Sequence, residues 1–382
     1  MQSHACRHVV SEFLKDLHPD YSPPTIKGVI PDEIAVAHGR RVIPKLVDAL
    51  KLPELPDEGR AHCLRIFNAL MPNQEMKAEA IALDVAPSLM KHMTSDTLEV
   101  VTLCCQAVET ICKVLPGRLA VVKAGGIQTL TSTLTKAPTY TTAAFEQLCR
   151  FKDGQQAVLQ STSQVIPALV ALINDEATAL EASRDGASTL SNLTSTDSGI
   201  MLALEAKVPQ CMVALVKRVA EGSSQQEEIG AVIMDICAEC FQRMSRHELG
   251  KVSIRENHGI DALASVLSKC VSTVKKATSA LMGISIDIEG KKAVMDVCFE
   301  PLMELIKHEE QDIVDNVRAT ILNCCENPEA SMKVRAVMSP AEREFFLGPL
   351  PVHSVGATKF MKEVDLVGTT SSSDETFQSM EV

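Results

Sequence analysis

Tryptophan is absent from the 382-residue chain, tyrosine occurs twice and phenylalanine ten times, so aromatic residues make up only 3%. Large rings bury the most area per side chain and usually fill the centre of a compact domain. Their scarcity argues against the two or three ordinary domains that length alone would suggest. No apolar run reaches the roughly 18 residues of a membrane-spanning helix. The first residues carry His4, Arg7, His8, Glu12, Lys15 and Asp16, which the apolar core of a signal peptide excludes. Basic charge is also short: Lys and Arg number 37 against 49 Asp and Glu, a net of −12. Surfaces for nucleic acid or acidic membrane are normally basic, so neither partner is expected. The thirteen cysteines are odd in number and lie mostly in apolar helical runs. They read as buried, unbridged thiols of a reducing compartment, which places the chain in the cytoplasm.

What is present is a repeat. The 46% apolar content is mostly Ala, Leu, Val, Ile, Met and Cys, which suits many thin layers of packed helices. A nine-residue pattern, two small or apolar residues, a Pro or polar residue and then x-Leu-x-x-x-Leu, begins at Val42, Val85, Gly126, Val165, Val208, Gly259 and Cys298. Its central apolar column is Leu46, Leu89, Leu130, Leu169, Met212, Leu263 and Leu302, with successive spacings of 43, 41, 39, 43, 51 and 39. A period near 42 belongs to helical solenoids. Proline at the third position suits a helix's first turn, where its missing N–H is not needed. Between copies runs a second helical piece, such as Leu64–Leu70, Ala187–Leu193 or Ala319–Cys324. A shorter apolar stretch follows, then a break, which holds Gly125-Gly126 and His258-Gly259 in two copies. The unit therefore has three helices.

A first helix with a Leu-x-Asn-Leu element, a short second helix, a Gly or Pro break and a long third helix resemble the armadillo repeat over roughly residues 30 to 338. The fold class implied is all-α, a right-handed superhelical armadillo-type solenoid of about seven three-helix repeats. Each unit leaves an apolar face that only its neighbours can bury. The run Ile30-Pro31-Asp32-Glu33-Ile34-Ala35-Val36-Ala37-His38-Gly39-Arg40-Arg41-Val42-Ile43-Pro44-Lys45-Leu46, with Pro23-Pro24 before it, resembles the opening of the radial spoke protein 14 family. That family is of armadillo type and of similar length, and it belongs to the ciliary axoneme. The resemblance implies a radial spoke component of the cilium or flagellum that binds other spoke and axonemal proteins.

The ends and one long spacing stand outside the regular pattern. Residues 1–29 carry a helical stripe, Val9, Val10, Phe13, Leu14 and Leu17, which reads as a cap on the first repeat or as a docking helix for a partner. The solenoid is expected over 30–338. A polar tail over 339–382 has too little to bury and reads as partly disordered in isolation. Phe345-Phe346-Leu347 and Phe360-Met361 are its apolar patches. The 51-residue spacing places extra residues around Phe241 to Lys251, a basic insertion with Arg243, Arg246, His247 and Lys251 that reads either as a solvated loop or as a docking site.

No catalytic constellation emerges. Cys237-Ala238-Glu239-Cys240 is a Cys-x-x-Cys in an apolar helical run with no second pair, which favours packing over zinc or redox chemistry. Cys104-Cys105 and Cys324-Cys325 point to different helix faces. Gly125-Gly126 lacks the Lys-Ser/Thr end of a phosphate loop. No enzyme activity, cofactor, metal or small-molecule substrate is expected. The leading reading is a structural adaptor whose groove is lined by the third helices, with Lys45, Asp48, Lys91, Thr129, Ser132, Thr133, Lys217 and Glu304 exposed in it. The second reading is a cytosolic armadillo adaptor for cargo or signalling partners. A Trp-Asn ladder for basic peptides is impossible without tryptophan.

Overall fold

The computed structural model describes residues 42–162, 164–222 and 227–347. The segment 1–29, the stretch 30–41 that carries most of the axonemal resemblance, and the tail beyond Leu347 with Phe360-Met361 lie outside the described residues. Twenty-one helices and no strand occur among the described residues. The chain opens on α1 (Val42–Lys51). Triplets follow: α2 (Asp57–Leu70), α3 (Gln74–Ala82) and α4 (Ala86–His92), then α5 (Leu98–Cys112), α6 (Leu115–Lys123) and α7 (Gly126–Thr133). Next come α8 (Pro138–Cys149), α9 (Lys152–Gln160) and α10 (Val165–Asn174), then α11 (Leu180–Leu193), α12 (Asp197–Glu205) and α13 (Val208–Ala220). The last elements are α14 (Glu227–Met244), α15 (Glu248–Glu256), α16 (Gly259–Ser265), α17 (Val271–Ile284), α18 (Ile288–Leu305), α19 (Gln311–Cys324), α20 (Pro328–Val337) and α21 (Pro340–Leu347). The described residues form an all-α, armadillo-type solenoid of about seven three-helix repeats.

All seven copies of the nine-residue pattern fall on helices, and the whole column Leu46, Leu89, Leu130, Leu169, Met212, Leu263 and Leu302 is buried. Two backbone devices set each repeat. The short second helices start on side-chain caps where the residue allows it: Asn73 accepts from the Glu75 and Met76 amides, Thr196 from Gly199, and Asn327 from Glu329. In four repeats the turn into the third helix passes through a left-handed residue five positions before the column, whereas Gln164 holds that place with φ of −78°. Asp84, Gly125, Lys207 and His258 supply it, with φ of 56°, 76°, 62° and 61°. Only one of the four is glycine, which hid the turn from a search for glycine breaks. In the seventh copy the second and third helices run together as α18, with Pro301 inside it.

A second recurrent contact locks the long helix to the short one. A Cβ built on Gly117, Gly154, Gly199, Gly250 or Gly290 would lie only 1.7–2.1 Å from the carbonyl oxygen six residues earlier: Ile111, Leu148, Leu193, Met244 or Ile284. The backbone of the short helix rests directly on the end of the long one, so only glycine fits without displacement. Met76 and Ala330 occupy this place in the first and last triplets.

Two compact units divide the chain after Cys240, inside α14. In the first, the long helices carry the most extensive packing between repeats, α2 on α5, α5 on α8 and α8 on α11. In the second, α17 packs on α19 in the same way, and α21 packs on α19. The expected proportions are reversed: the third helices run from 7 to 13 residues, and the long ones, from 12 to 18, carry the Leu-x-Asn element.

The basic insertion is also relocated. The Gly250 contact identifies Met244, not Ile236, as the counterpart of Leu70. Leu263 follows Met244 by 19 positions, as Leu89 follows Leu70, so nothing is inserted between them. The extra residues lie upstream, in the longer α13, the 221–226 link and the 18-residue α14. Ile236 and Met244 stand about two turns apart, and an apolar helix stripe recurs with that spacing, so periodicity alone did not separate them. Residues 241–251 are therefore the end of α14, a short link and the start of α15.

Helical structure continues past the expected start of the tail at 339. Ser339-Pro340-Ala341-Glu342 is a capping box: the Ser339 amide donates to Glu342 Oε2 at 2.7 Å, and the Glu342 amide donates to Ser339 Oγ at 3.3 Å. The first of these bonds does most to hold the Glu342 carboxyl down at about 2. Pro340 at the first helical position completes the signal, which stood in the sequence unread.

Candidate interaction surface

The third helices expose only part of what was expected of them. Asp48, Lys91, Ser132, Lys217 and Glu304 are exposed, and Thr129 is half-buried. Lys45 and Thr133 are buried. Lys45 follows Val42 by three and precedes Ala49 by four, so helical spacing puts it on their buried stripe. The Thr133 hydroxyl turns back to the Thr129 and Leu130 carbonyls. In the second unit Arg246 is exposed, Arg243 half-buried and Lys251 buried. Lys251 Nζ is held by Glu248 Oε1 at 2.7 Å and Asp287 Oδ1 at 3.6 Å. It joins repeats rather than reaching out of a loop.

Charged side chains of the long helices also meet across repeats, some exposed and some, such as Asp185, buried. Arg65 on α2 pairs with Glu99 on α5, and Asn68 Nδ2 donates to the Leu103 carbonyl at 3.0 Å. Farther along the first unit, Glu146 on α8 and Asp185 on α11 face the Glu109 carboxylate of α5 electrostatically. Burial pushes both carboxyls up, and Arg150 and Arg184 oppose that. Arg184 Nε lies 2.7 Å from Asp185 Oδ1. The stacked helices thus carry a band of mixed charge with acid in excess, held by pairs between neighbours.

A cation on one short helix ties it to the next repeat. Arg118 is buried and makes a bidentate pair with Asp153 of the next repeat, at 2.8 and 3.1 Å, while donating to the Cys112 carbonyl at 3.2 Å. Phe151 lies under its guanidinium, 3.9 Å from ring centre to Cζ. Lys77 holds the same place one repeat earlier, but the position that supplies Asp153 to Arg118 is Pro116 there. The Lys77 side chain is buried, and burial, then the Lys113 charge, draw its pKa down. Folding therefore disfavours its charged form, a penalty present at neutral pH and relieved as pH rises past the lowered value. Lys77→Met should leave the melting temperature unchanged or raise it at pH 7, with the advantage shrinking at alkaline pH. A loss comparable to deleting a core side chain would show that the amine has an essential partner.

Chemistry-bearing side chains are otherwise packed away. No cysteine among the described residues forms a disulfide, and no group of three or more His, Cys, Asp or Glu there could hold a metal ion. Burial pushes the Cys105 thiol up to about 11 and those of Cys112, Cys211, Cys298 and Cys324 to about 12. Cys237 is fully buried, raised well above the ordinary thiol value, and 3.7 Å from the Met212 sulfur. The thiolate is the nucleophile, so these groups are inert while the fold is closed. Iodoacetamide at pH 8 should label exposed Cys270 in the native protein and reach Cys104, Cys149 or Cys237 only in denaturant, as read by peptide mass spectrometry. Native labelling of Cys237 would contradict its burial.

Among the described residues no single helix is long and apolar enough to cross a membrane. A scan against protein-family models finds no match, and neither does a search of curated proteins. Solved structures do match. One engineered protein of the Northeast Structural Genomics Consortium aligns at a TM-score of 0.56 and 17% identity, covering 86% of this chain and 92% of its own. Two others from the same source align at 0.54, with 16% and 19% identity, each covering 63% of this chain and 99% and 96% of their own. A designed armadillo repeat protein in complex with a (KR)4 peptide aligns at 0.42 and 16% identity, too low to argue from. At these identities the likeness is one of fold alone.

Proposed function

We propose that the protein is a non-catalytic scaffold of the ciliary or flagellar axoneme, a radial spoke component that joins neighbouring chains through its repeat surface. The observation that carries the scaffold reading is the distribution of polar chemistry. The titratable groups that sequence and structure bring together, Arg118 with Asp153, Lys251 with Asp287 and Arg65 with Glu99, link one repeat to the next. Apart from exposed Cys270 and half-buried Cys325, the cysteines among the described residues are buried, and the Cys237 thiol is raised well above its ordinary value. A stack of repeats offers large contact area to proteins. The axonemal assignment rests on the likeness of the Pro-Pro, Pro-Asp and Pro-Lys-Leu run to the radial spoke protein 14 family. Its partners are accordingly other spoke and axonemal proteins, bound without nucleic acid, membrane, cofactor or metal.

The test is localisation and fractionation. A tagged copy expressed in ciliated cells should remain with axonemes after detergent extraction and sediment with the spoke fraction after high-salt release. A protein diffuse in the cytosol and washed away by detergent would overturn the axonemal reading and favour a cytosolic adaptor for cargo or signalling partners.

A further inference from the structure

One buried cation lacks the carboxylate that its counterparts have. The residue after the helix-contact position is cationic at Lys77, Arg118, Lys251 and Lys291. Arg118 pairs with Asp153, Lys251 with Asp287 and Lys291 with Glu326, each carboxylate lying at or just before the start of the following short helix. These carboxylates stand one, three and four positions before the next contact residues, Gly154, Gly290 and Ala330. Ahead of Gly117 the same positions are Pro116, Val114 and Lys113. Lys77 therefore meets a second cation where its counterparts meet an anion. It is 3% exposed, and its amine has no hydrogen bond or ion pair among the described residues. The short helix α3 packs on α6, and the Lys113 charge acts on the Lys77 amine. Lys113 caps the end of α5, and α6 starts at Val114 with no side-chain cap. First-turn amides lack intrahelical partners and carry the positive end of the helix dipole. Pro116 has no N–H, so Leu115 and Gly117 supply them. Lys113 also meets Glu109 at 3.2 Å, in a pair 45% and 27% exposed. One carboxylate against two amines leaves one positive charge over. Glu75 and Glu79 lie two positions to either side of Lys77, off its face of α3. The place opens at the surface in the other repeats, where Asp153 and Asp287 are 30% and 25% exposed.

We propose that Lys77, Lys113 and the uncapped start of α6 form a binding site for one carboxylate, the Asp or Glu side chain of a protein docked on the first unit. The repeat itself supplies the template: a carboxylate set there takes the place that Asp153 takes at Arg118. The single positive charge left over matches a carboxylate, whereas a phosphate group would bring nearly twice that. Binding restores to Lys77 the partner that keeps a covered amine charged without penalty. The source of the carboxylate rests on the scaffold reading above, but not on the axonemal one.

The test uses the full chain, with sodium acetate as the probe. The amide resonances of Leu115 and Gly117, followed by NMR while acetate replaces chloride at constant ionic strength, should shift saturably. Lys77→Met should abolish the shift. Lys77→Arg should keep it, because Arg118 holds a carboxylate from the equivalent position. Pro116→Asp should supply the missing carboxylate from within, raising the melting temperature and removing the response to acetate. No saturable shift in the wild-type chain, or an equal one in Lys77→Met, would overturn the site and leave the scaffold reading standing. Tighter binding of inorganic phosphate than of acetate would overturn the choice of a carboxylate. The source is read by carbodiimide cross-linking of complexes recovered from cells. It should join Lys77 Nζ to an Asp or Glu of another protein through an amide, the carbodiimide taking up the water released. Lys77 cross-linked only within this chain, or not at all, would overturn the partner assignment. So would a response to acetate that appears only in Asp32→Asn with Glu33→Gln, which would give the place to the chain's own N-terminal stretch.

Discussion

Gly154→Ala is expected to destabilise the first unit by at least about 3 kcal/mol, the upper range for overpacking a rigid contact. The added methyl would sit 1.7 Å from the Leu148 carbonyl oxygen, which belongs to a helix backbone and cannot rotate aside as a side chain would. Either α9 lifts from the end of α8 or the carbonyl leaves its hydrogen-bond direction, and both loosen the contact that orients the short helix. Gly125→Ala is the informative comparison. Its Cβ would meet nothing within 4 Å, but its φ of 76° is left-handed. It should therefore cost only the backbone penalty, about 1–2 kcal/mol. Chemical denaturation of both variants reads the difference. Equal losses would mean that the helix contact is not rigid, and that the glycine at this place serves only backbone freedom.

Leu169→Ala should cost about 2–5 kcal/mol, and Leu130→Ala the same. Both side chains are fully buried. They lie on third helices with apolar neighbours on several sides: α10 packs on α11 within its own surroundings and on α13 of the next repeat. A cavity there is bounded by helices of more than one repeat, so it cannot collapse by moving one side chain. In a stack whose stability is a sum of repeats and interfaces, the loss should also reduce cooperativity and split the transition. A change near zero would show that the column is misplaced.

The column itself was legible because one apolar residue in a fixed place recurs with a period near 42, and all seven of its members are buried. The third-helix start was legible through Pro44, Pro87, Pro167 and Pro209. What sequence pattern could not settle was phase within the long apolar helix. In α14, Ile236 and Met244 fit one stripe about equally, and only the Gly250 contact with the Met244 carbonyl decides between them. Glycine five or six residues after the end of a long helix, in five repeats, was a signal available in the sequence, but its meaning lies in a backbone approach that no composition reveals. Exposure failed for a different reason. Lys45 and Lys251 were read as outward because lysine usually is, yet a long stem can be covered when an adjacent repeat brings a carboxylate, as Asp287 does for Lys251. The exposure of Ile286 and Ile288 was missed because they stand in a link and at a helix start, where helical periodicity has nothing to report.

The scaffold assignment is tested most directly by the protein composition of axonemes from ciliated cells with and without this chain, measured by quantitative mass spectrometry and repeated after its re-expression. A spoke component that joins neighbours by contact alone should take a defined set of radial spoke proteins with it when it is lost, and restore them when it returns. The Gly154→Ala variant, destabilised in the first unit, should restore them poorly. Axonemes of unchanged composition, with the chain recovered instead in soluble complexes, would contradict the axonemal scaffold.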